Sequence, residues 1–162
     1  MSEASLTHID ESGNVRMVDV SEKATTTRRA MAESTVTLSP EAFRALAEGN
    51  TPKGDVLATV RLAAIMGVKS TSTLIPLCHP LPVESAKCQV ALLEPDKVRI
   101  TVEVATSGKT GVEMEALVGA TTGSLALYDM LKALDKGMVI GPTQLLSKTG
   151  GKSGSYHREE QI

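Results

Sequence analysis

Apolar and polar residues change period several times along this chain, and each change marks an element. RAMAESTVTLS, residues 29–39, alternates as a half-buried strand does. Ser39, Pro40 and Glu41 then open a helix, because serine caps, proline suits the first turn and the acid meets the positive end of the dipole; Gly49 closes it. Thr51-Pro52 opens a second helix, with Val56, Val60, Ala63, Ala64 and Gly67 on one face and Lys53 in its first turn. From Lys69 the periodicity gives way to STSTLIPLCHPLP, whose closely spaced prolines predict a rigid loop. Cys88, Val90 and Leu92 alternate again, EPDK turns the chain, and VRITVEV completes a hairpin. GKTG at 108–111 ends that strand. A long helix runs from Val112 to about Asp135 and stops at Gly137, and a last strand covers Met138 to Lys148.

The order is strand, helix pair, strand, strand, helix, strand. It predicts an α+β, ferredoxin-like βαββαβ sandwich, with an antiparallel sheet carrying its helices on one face. Residues 1–162 read as one domain. Residues 1–28 form an N-terminal arm in which VRMVDV supplies at most one edge strand, and 149–162 a glycine-rich polar tail, mobile or ordered by a ligand.

Composition narrows the function. With 41% hydrophobic and 22% charged residues the chain is a globular one, and 162 residues bury enough core without a staple. A net charge of −2 recruits neither nucleic acid nor an anionic membrane, and three aromatics, Phe43, Tyr128 and Tyr156, leave almost no stacking platform. The polar start MSEASLTHIDESG lacks the features of a signal peptide, and no apolar run is long enough to span a bilayer, so the expected location is cytoplasmic. Cys78 and Cys88 are accordingly expected as free thiols.

Four polar clusters stand out. On the long, mostly apolar helix Glu115, Thr122 and Asp129 fall within roughly 40° of one another, with Lys132 one turn beyond. An Asp129–Lys132 ion pair at i, i+3 is the plain reading; ionisable groups on so apolar a helix are equally candidates for acid and base work. Glu115 and Asp129 lie about 21 Å apart along the axis, so one compact site uses both only if the substrate is long or a symmetric oligomer joins opposite ends of two helices. The second cluster is PLCHP, whose prolines fix the directions of Cys78 and His79. A buried cysteine beside a surface histidine explains those residues equally well, and their adjacency does not suit a tetrahedral zinc ligand set. GKTG and GGKS, residues 150–153, are short of a phosphate loop, since Glu103 and Leu146 stand where the first glycine is required. Lys53, Lys69, Lys109, Lys132, Lys148 and Lys152 nevertheless sit at starts, loops or glycine-flanked positions where ammonium groups gather around phosphates.

Taken together, KGDVLATVRLAAIMGVKSTSTLIPLCHPLP, SGKTGVEMEAL, LYDMLKALDKGMVIGP and LLSKTGGKSG, with the opening LTHIDESGNVRMVDVSEKA, resemble the MoaC family of cyclic pyranopterin monophosphate synthases over nearly the whole chain. The resemblance implies a lyase of molybdenum cofactor biosynthesis that turns a cyclised dihydro-GTP into cyclic pyranopterin monophosphate and releases pyrophosphate, with no metal or redox cofactor. It further implies Asp129, Lys132 and Lys53 as catalytic residues. Leu77, Cys78, His79, Met114 and Glu115 match the substrate contacts, with Glu113, Lys69 and Lys148 in the pocket, and the assembly implied is a homohexamer, a trimer of dimers with sites at the dimer interface. Two other classes compete: a non-catalytic ferredoxin-like module that binds a nucleotide or metabolite, and a zinc-dependent GTP ring-opening enzyme. A sensor needs complementary hydrogen bonds, whereas an enzyme needs groups that change protonation.

Overall fold

The computed structural model describes residues 8–9, 12–152 and 154–159. Along the chain run β1 (Thr26–Thr37), α1 (Pro40–Ala47), α2 (Val56–Leu74), β2 (Ser85–Leu93), β3 (Lys97–Gly108), α3 (Glu113–Leu131), β4 (Val139–Thr149) and β5 (Tyr156–His157). The strands form one sheet in the order β2-β3-β1-β4-β5, antiparallel at every junction. Helices α2 and α3 pack against each other and against that sheet, the ferredoxin-like arrangement that the order of elements predicts.

Strand alternation explains the layering. On β1 Ala30, Ala32, Ser34 and Val36 are buried, and on β3 so are Val98, Ile100, Val102 and Val104, each at every second position. They meet Val60, Ala64 and Val68 of α2 and Ala116, Ala120, Leu127 and Leu131 of α3 in one core. The helices approach closely because small residues line the seam. A Cβ on Gly119 would lie 2.7 Å from Val68 Cγ2 and 3.2 Å from the Ala64 carbonyl oxygen, so no side chain fits there. This seam holds α3 rigidly along its length, and both of its ends carry polar clusters.

Local chemistry shifts several boundaries. α1 starts as expected, with Ser39 Oγ accepting from the Ala42 N–H at 3.3 Å. α2 instead begins at Val56, because Asp55, whose carboxylate accepts from the Ala58 N–H at 2.9 Å, is the better cap. Thr51-Pro52 opens a turn rather than a helix: Thr51 Oγ1 donates to the Gly54 carbonyl at 2.6 Å and Gly54 takes a φ of 84°, so Lys53 projects from that turn. At its other end α2 runs through STST to Leu74, since Thr71 and Thr73 satisfy their hydroxyls on carbonyls of the preceding turn. Lys69 is therefore a helix residue, and the proline loop starts only at Ile75. β1 begins three residues before the predicted strand, at Thr26, and α3 ends at Leu131, with turns carrying the chain through Leu134.

Two further expectations change. VRMVDV joins no strand; Val15 makes only an isolated bridge to Ile9. The tail adds a fifth strand, in which Tyr156 and His157 pair with Lys148 and Ser147 and the Arg158 N–H donates to the Leu146 carbonyl at 2.8 Å.

Candidate functional site

At the C-terminal end of α3 the helix delivers Asp129 and Lys132 to one face, and the 51–54 turn delivers Lys53 to meet them. Lys53 Nζ donates to Asp129 Oδ2 at 2.9 Å and to the Asp129 carbonyl at 2.7 Å, while Lys132 Nζ lies 2.7 Å from Oδ1. Each carboxylate oxygen thus has its own ammonium partner. Hydrogen bonding by Lys132 first and Lys53 second, reinforced by their charges, holds the Asp129 carboxyl down to about 2, and the same bond from Asp129 raises the Lys132 ammonium. All three side chains remain open to solvent, with Asp129 56% exposed, so an incoming ligand reaches them directly. The i, i+3 pair predicted on this helix is present, and Lys53 makes it a triad.

At the N-terminal end of α3 a different set converges. Leu77, Cys78 and His79 from the proline loop face Glu113, Met114 and Glu115 from the first turn of the helix across a cleft of about 360 Å³, whose far wall is the arm at Val18 and Val20. His79 is fixed by its Nε2–H, which donates to the Val18 carbonyl at 2.8 Å; the VRMVDV segment therefore orients the imidazole although it joins no sheet. Glu115 is a carboxylate in the core layer, only 4% exposed. Burial pushes it up, with the charge of Glu113 adding to the effect, and no cation pairs with it among the described residues. Burial, and then Glu115, likewise raise the Cys78 thiol. Both cysteines are free.

Two neighbouring clefts share walls with this one. Lys69 of α2 lines a cleft of about 310 Å³ that Glu115 and Leu81 also border, and these two residues line the cleft of Cys78 and His79 as well. Lys148 of β4 lines a basic cleft of about 520 Å³ and pairs with Glu113 at 3.2 Å; Lys23, Thr110, Gly111 and Glu113 border both this cleft and that of His79. The sequence-predicted residues thus fall into two groups. Asp129, Lys132 and Lys53 form one, and Leu77, Cys78, His79, Met114, Glu115, Glu113, Lys69 and Lys148 surround connected clefts at the other end. A single chain does not bring the groups together: the 14 residues from Glu115 to Asp129 span about 21 Å of helix.

Sequence reasoning passed over Lys23 and Arg28, which line the basic cleft. Its signal was the cluster of lysines beside GKTG and GGKS, but the partnership depends on strand register.

The MoaC family profile matches residues 17–151. The chain belongs to the MoaC family. Among its relatives, a protein of Brevibacillus brevis is 51% identical over 156 residues, covering 96% of this chain and 98% of that one. A Staphylococcus carnosus relative is 49% identical over 157 residues, with 96% and 98% covered, and one from Nostoc sp. is 52% identical over 157, with 94% and 92% covered. All three bear the name cyclic pyranopterin monophosphate synthase. Among the described residues of this MoaC-family chain, no helix is long and apolar enough to cross a membrane.

Proposed function

We propose that this MoaC-family chain is a cyclic pyranopterin monophosphate synthase, a cytoplasmic lyase of molybdenum cofactor biosynthesis. It converts 3',8-cyclo-7,8-dihydro-GTP to cyclic pyranopterin monophosphate and releases pyrophosphate. The observation that carries this reading is the pairing, on one rigid helix, of an ion triad at one end with a buried carboxylate beside a histidine–cysteine loop at the other. Ring opening and reclosure need groups that give and take protons, and a departing diphosphate needs cations. Asp129, ionised across the physiological range, serves as the base or the anchor of the triad, and Lys132 and Lys53 supply protons and polarise. Leu77, Cys78, His79, Met114 and Glu115 hold the ring system, with Glu113, Lys69 and Lys148 around it. Nothing in this chemistry calls on a metal or redox cofactor.

Residues 1–162 act as one domain in this reading, and the working unit is an oligomer in which the triad of one copy completes the cleft of its partner across a two-fold axis, three such dimers making a hexamer. Support comes from the axial separation of the groups. It also comes from Leu62 and Met66, one turn apart on α2, and Leu125 on α3, all more than half exposed, apolar surface of a kind that partners cover. Incubation with the cyclised dihydro-GTP tests the function: pyrophosphate and a pterin product should appear together. Tight binding of the nucleotide without either product would assign the chain to the non-catalytic class instead.

A further inference from the structure

Residues 12–23, ahead of β1, run along the wall of the His79 cleft with almost no packing to hold them: only Val18 and Val20 are even partly buried. So little apolar contact leaves the path of this strap to hydrogen bonds. The Val18 carbonyl accepts from His79 Nε2–H at 2.8 Å, and the Ser21 carbonyl accepts from Lys109 Nζ at 2.5 Å. The Lys23 N–H returns to the Val20 carbonyl at 3.0 Å, closing a turn over residues 20–23. Asp19 sets the entry to that turn. Its Oδ1 accepts from the Ser21 N–H at 2.8 Å, two residues on, an Asx turn placed between the two tethered carbonyls. Hydrogen bonding from Ser21, by its N–H first and its hydroxyl second, holds the Asp19 carboxyl below its ordinary 3.8, so the anion is committed to this turn. The side chain is exposed and lines none of the three clefts at the N-terminal end of α3, and it therefore acts only through the backbone that it shapes.

The tether at Val18 has a chemical consequence for the imidazole. A carbonyl oxygen only accepts, so Nε2 carries the hydrogen, and Nδ1 of the neutral ring is left as an acceptor. Without the carbonyl in that place nothing selects between the two tautomers.

We propose that Asp19 is a positioning residue for His79: its turn holds the Val18 carbonyl in place, which keeps the imidazole as the Nε2–H tautomer and presents Nδ1 as an acceptor for an N–H or O–H of the ligand's ring system. Shape and not charge does this. Asparagine closes the same turn with an uncharged amide oxygen, whereas glutamate keeps the charge on a stem one methylene too long. The kinetic consequence rests on the synthase reading; the tautomer does not.

The experiment compares wild type, Asp19→Ala, Asp19→Asn and Asp19→Glu, labelled at the histidine nitrogens. Long-range proton–nitrogen spectra in mildly alkaline solution, where an imidazole is neutral, report the tautomer of His79, assigned by the signals lost in His79→Gln. The same chains give kcat and KM for the cyclised dihydro-GTP, and thermal unfolding. All should melt within about 2 °C of one another, since the strap adds little to the core. Asp19→Asn should keep the Nε2–H form and stay within about 3-fold of wild type in kcat/KM. Asp19→Ala and Asp19→Glu should show both tautomers and lose about 10- to 100-fold in kcat/KM, mainly through KM, the scale for a group misplaced by about 1 Å. A folded Asp19→Ala with the Nε2–H form and wild-type kinetics overturns the proposal, and so does an Asp19→Asn as impaired as Asp19→Ala. Should Asp19→Ala not fold, Asp19→Asn against Asp19→Glu decides by the same readouts. If the tautomer responds in this way in a chain that yields no product, the enzymatic reading fails and the positioning role stands; normal turnover with an unmoved tautomer gives the reverse.

Discussion

Replacing Asp129 by asparagine keeps the shape of the side chain and removes the anion shared by two lysines. With its carboxyl at about 2, Asp129 lies about five pH units below neutrality, so only about one molecule in 10⁵ carries the protonated form there. In the proposed mechanism the residue starts as a carboxylate, and its neighbour Lys132, whose ammonium Asp129 raises, is the proton donor. Asp129→Asn should lower turnover by about 10²- to 10⁴-fold, the range for loss of a positioned acid or base. It should also move the alkaline limb of the pH–rate profile to lower pH, because Lys132 loses the anion that raised it. The folded-state value lies below the ordinary 3.8, so the carboxylate favours the folded chain above that pH, and the contribution disappears as pH falls toward about 2. Solvent screens these exposed charges, and the melting temperature at neutral pH should change by no more than about 3 °C. Pyrophosphate release followed from about pH 6 to pH 10 would check this. Wild-type turnover in a folded Asp129→Asn protein, or an alkaline limb that stays in place, would refute the reasoning.

Three further outcomes follow from other parts of the structure. Glu115→Gln should melt higher than wild type at pH 8 and equally below pH 4, because a carboxyl raised above its ordinary 4.5 costs stability as pH climbs through that raised value; a curve parallel to wild type throughout would contradict this. Cys78 should react with iodoacetamide at pH 8 more slowly than a model thiol, and faster after Glu115→Gln, as mass spectrometry of the alkylated peptide would report. Gly119→Ala forces a Cβ to within 2.7 Å of Val68 and 3.1 Å of Val102. Overpacking of about 1–3 kcal/mol, less about 1 kcal/mol gained from helix propensity, should lower stability in urea; a more stable variant would show that the seam yields.

The periodic parts of the fold were legible because each periodicity is a local property. The alternation of β1 and β3, the Ser39 cap and the span of α3 over a mostly apolar run need no knowledge of the rest of the chain. Errors arose where two local signals competed. Thr51-Pro52 and Asp55 both start helices, and the aspartate cap prevailed, which moved Lys53 from a helix to a turn without taking it from Asp129. STST reads as a loop until its hydroxyls find carbonyls one turn back, and this carried Lys69 onto α2. The ion triad was readable in part, since Asp129 and Lys132 share one helix; Lys53 entered by family resemblance. Arg28 was not readable, because the carbonyls its guanidinium meets, those of Gly108 and Lys109, are brought to it only by the pairing of β1 with β3. The two-residue strand β5 is too short to carry a pattern of its own.

The division of polar groups between the two ends of α3 makes one claim testable without any further structure, namely that a working centre draws on two copies of the chain. Asp129→Asn and Glu115→Gln, each inactive alone, should be unfolded together, refolded at equal concentration and assayed for pyrophosphate release. Random pairing makes half of the dimers mixed, each with one centre carrying both native residues, so activity should return to about one quarter of wild type. Activity no greater than the sum of the two separate variants, with mixed oligomers shown to have formed, would contradict the account.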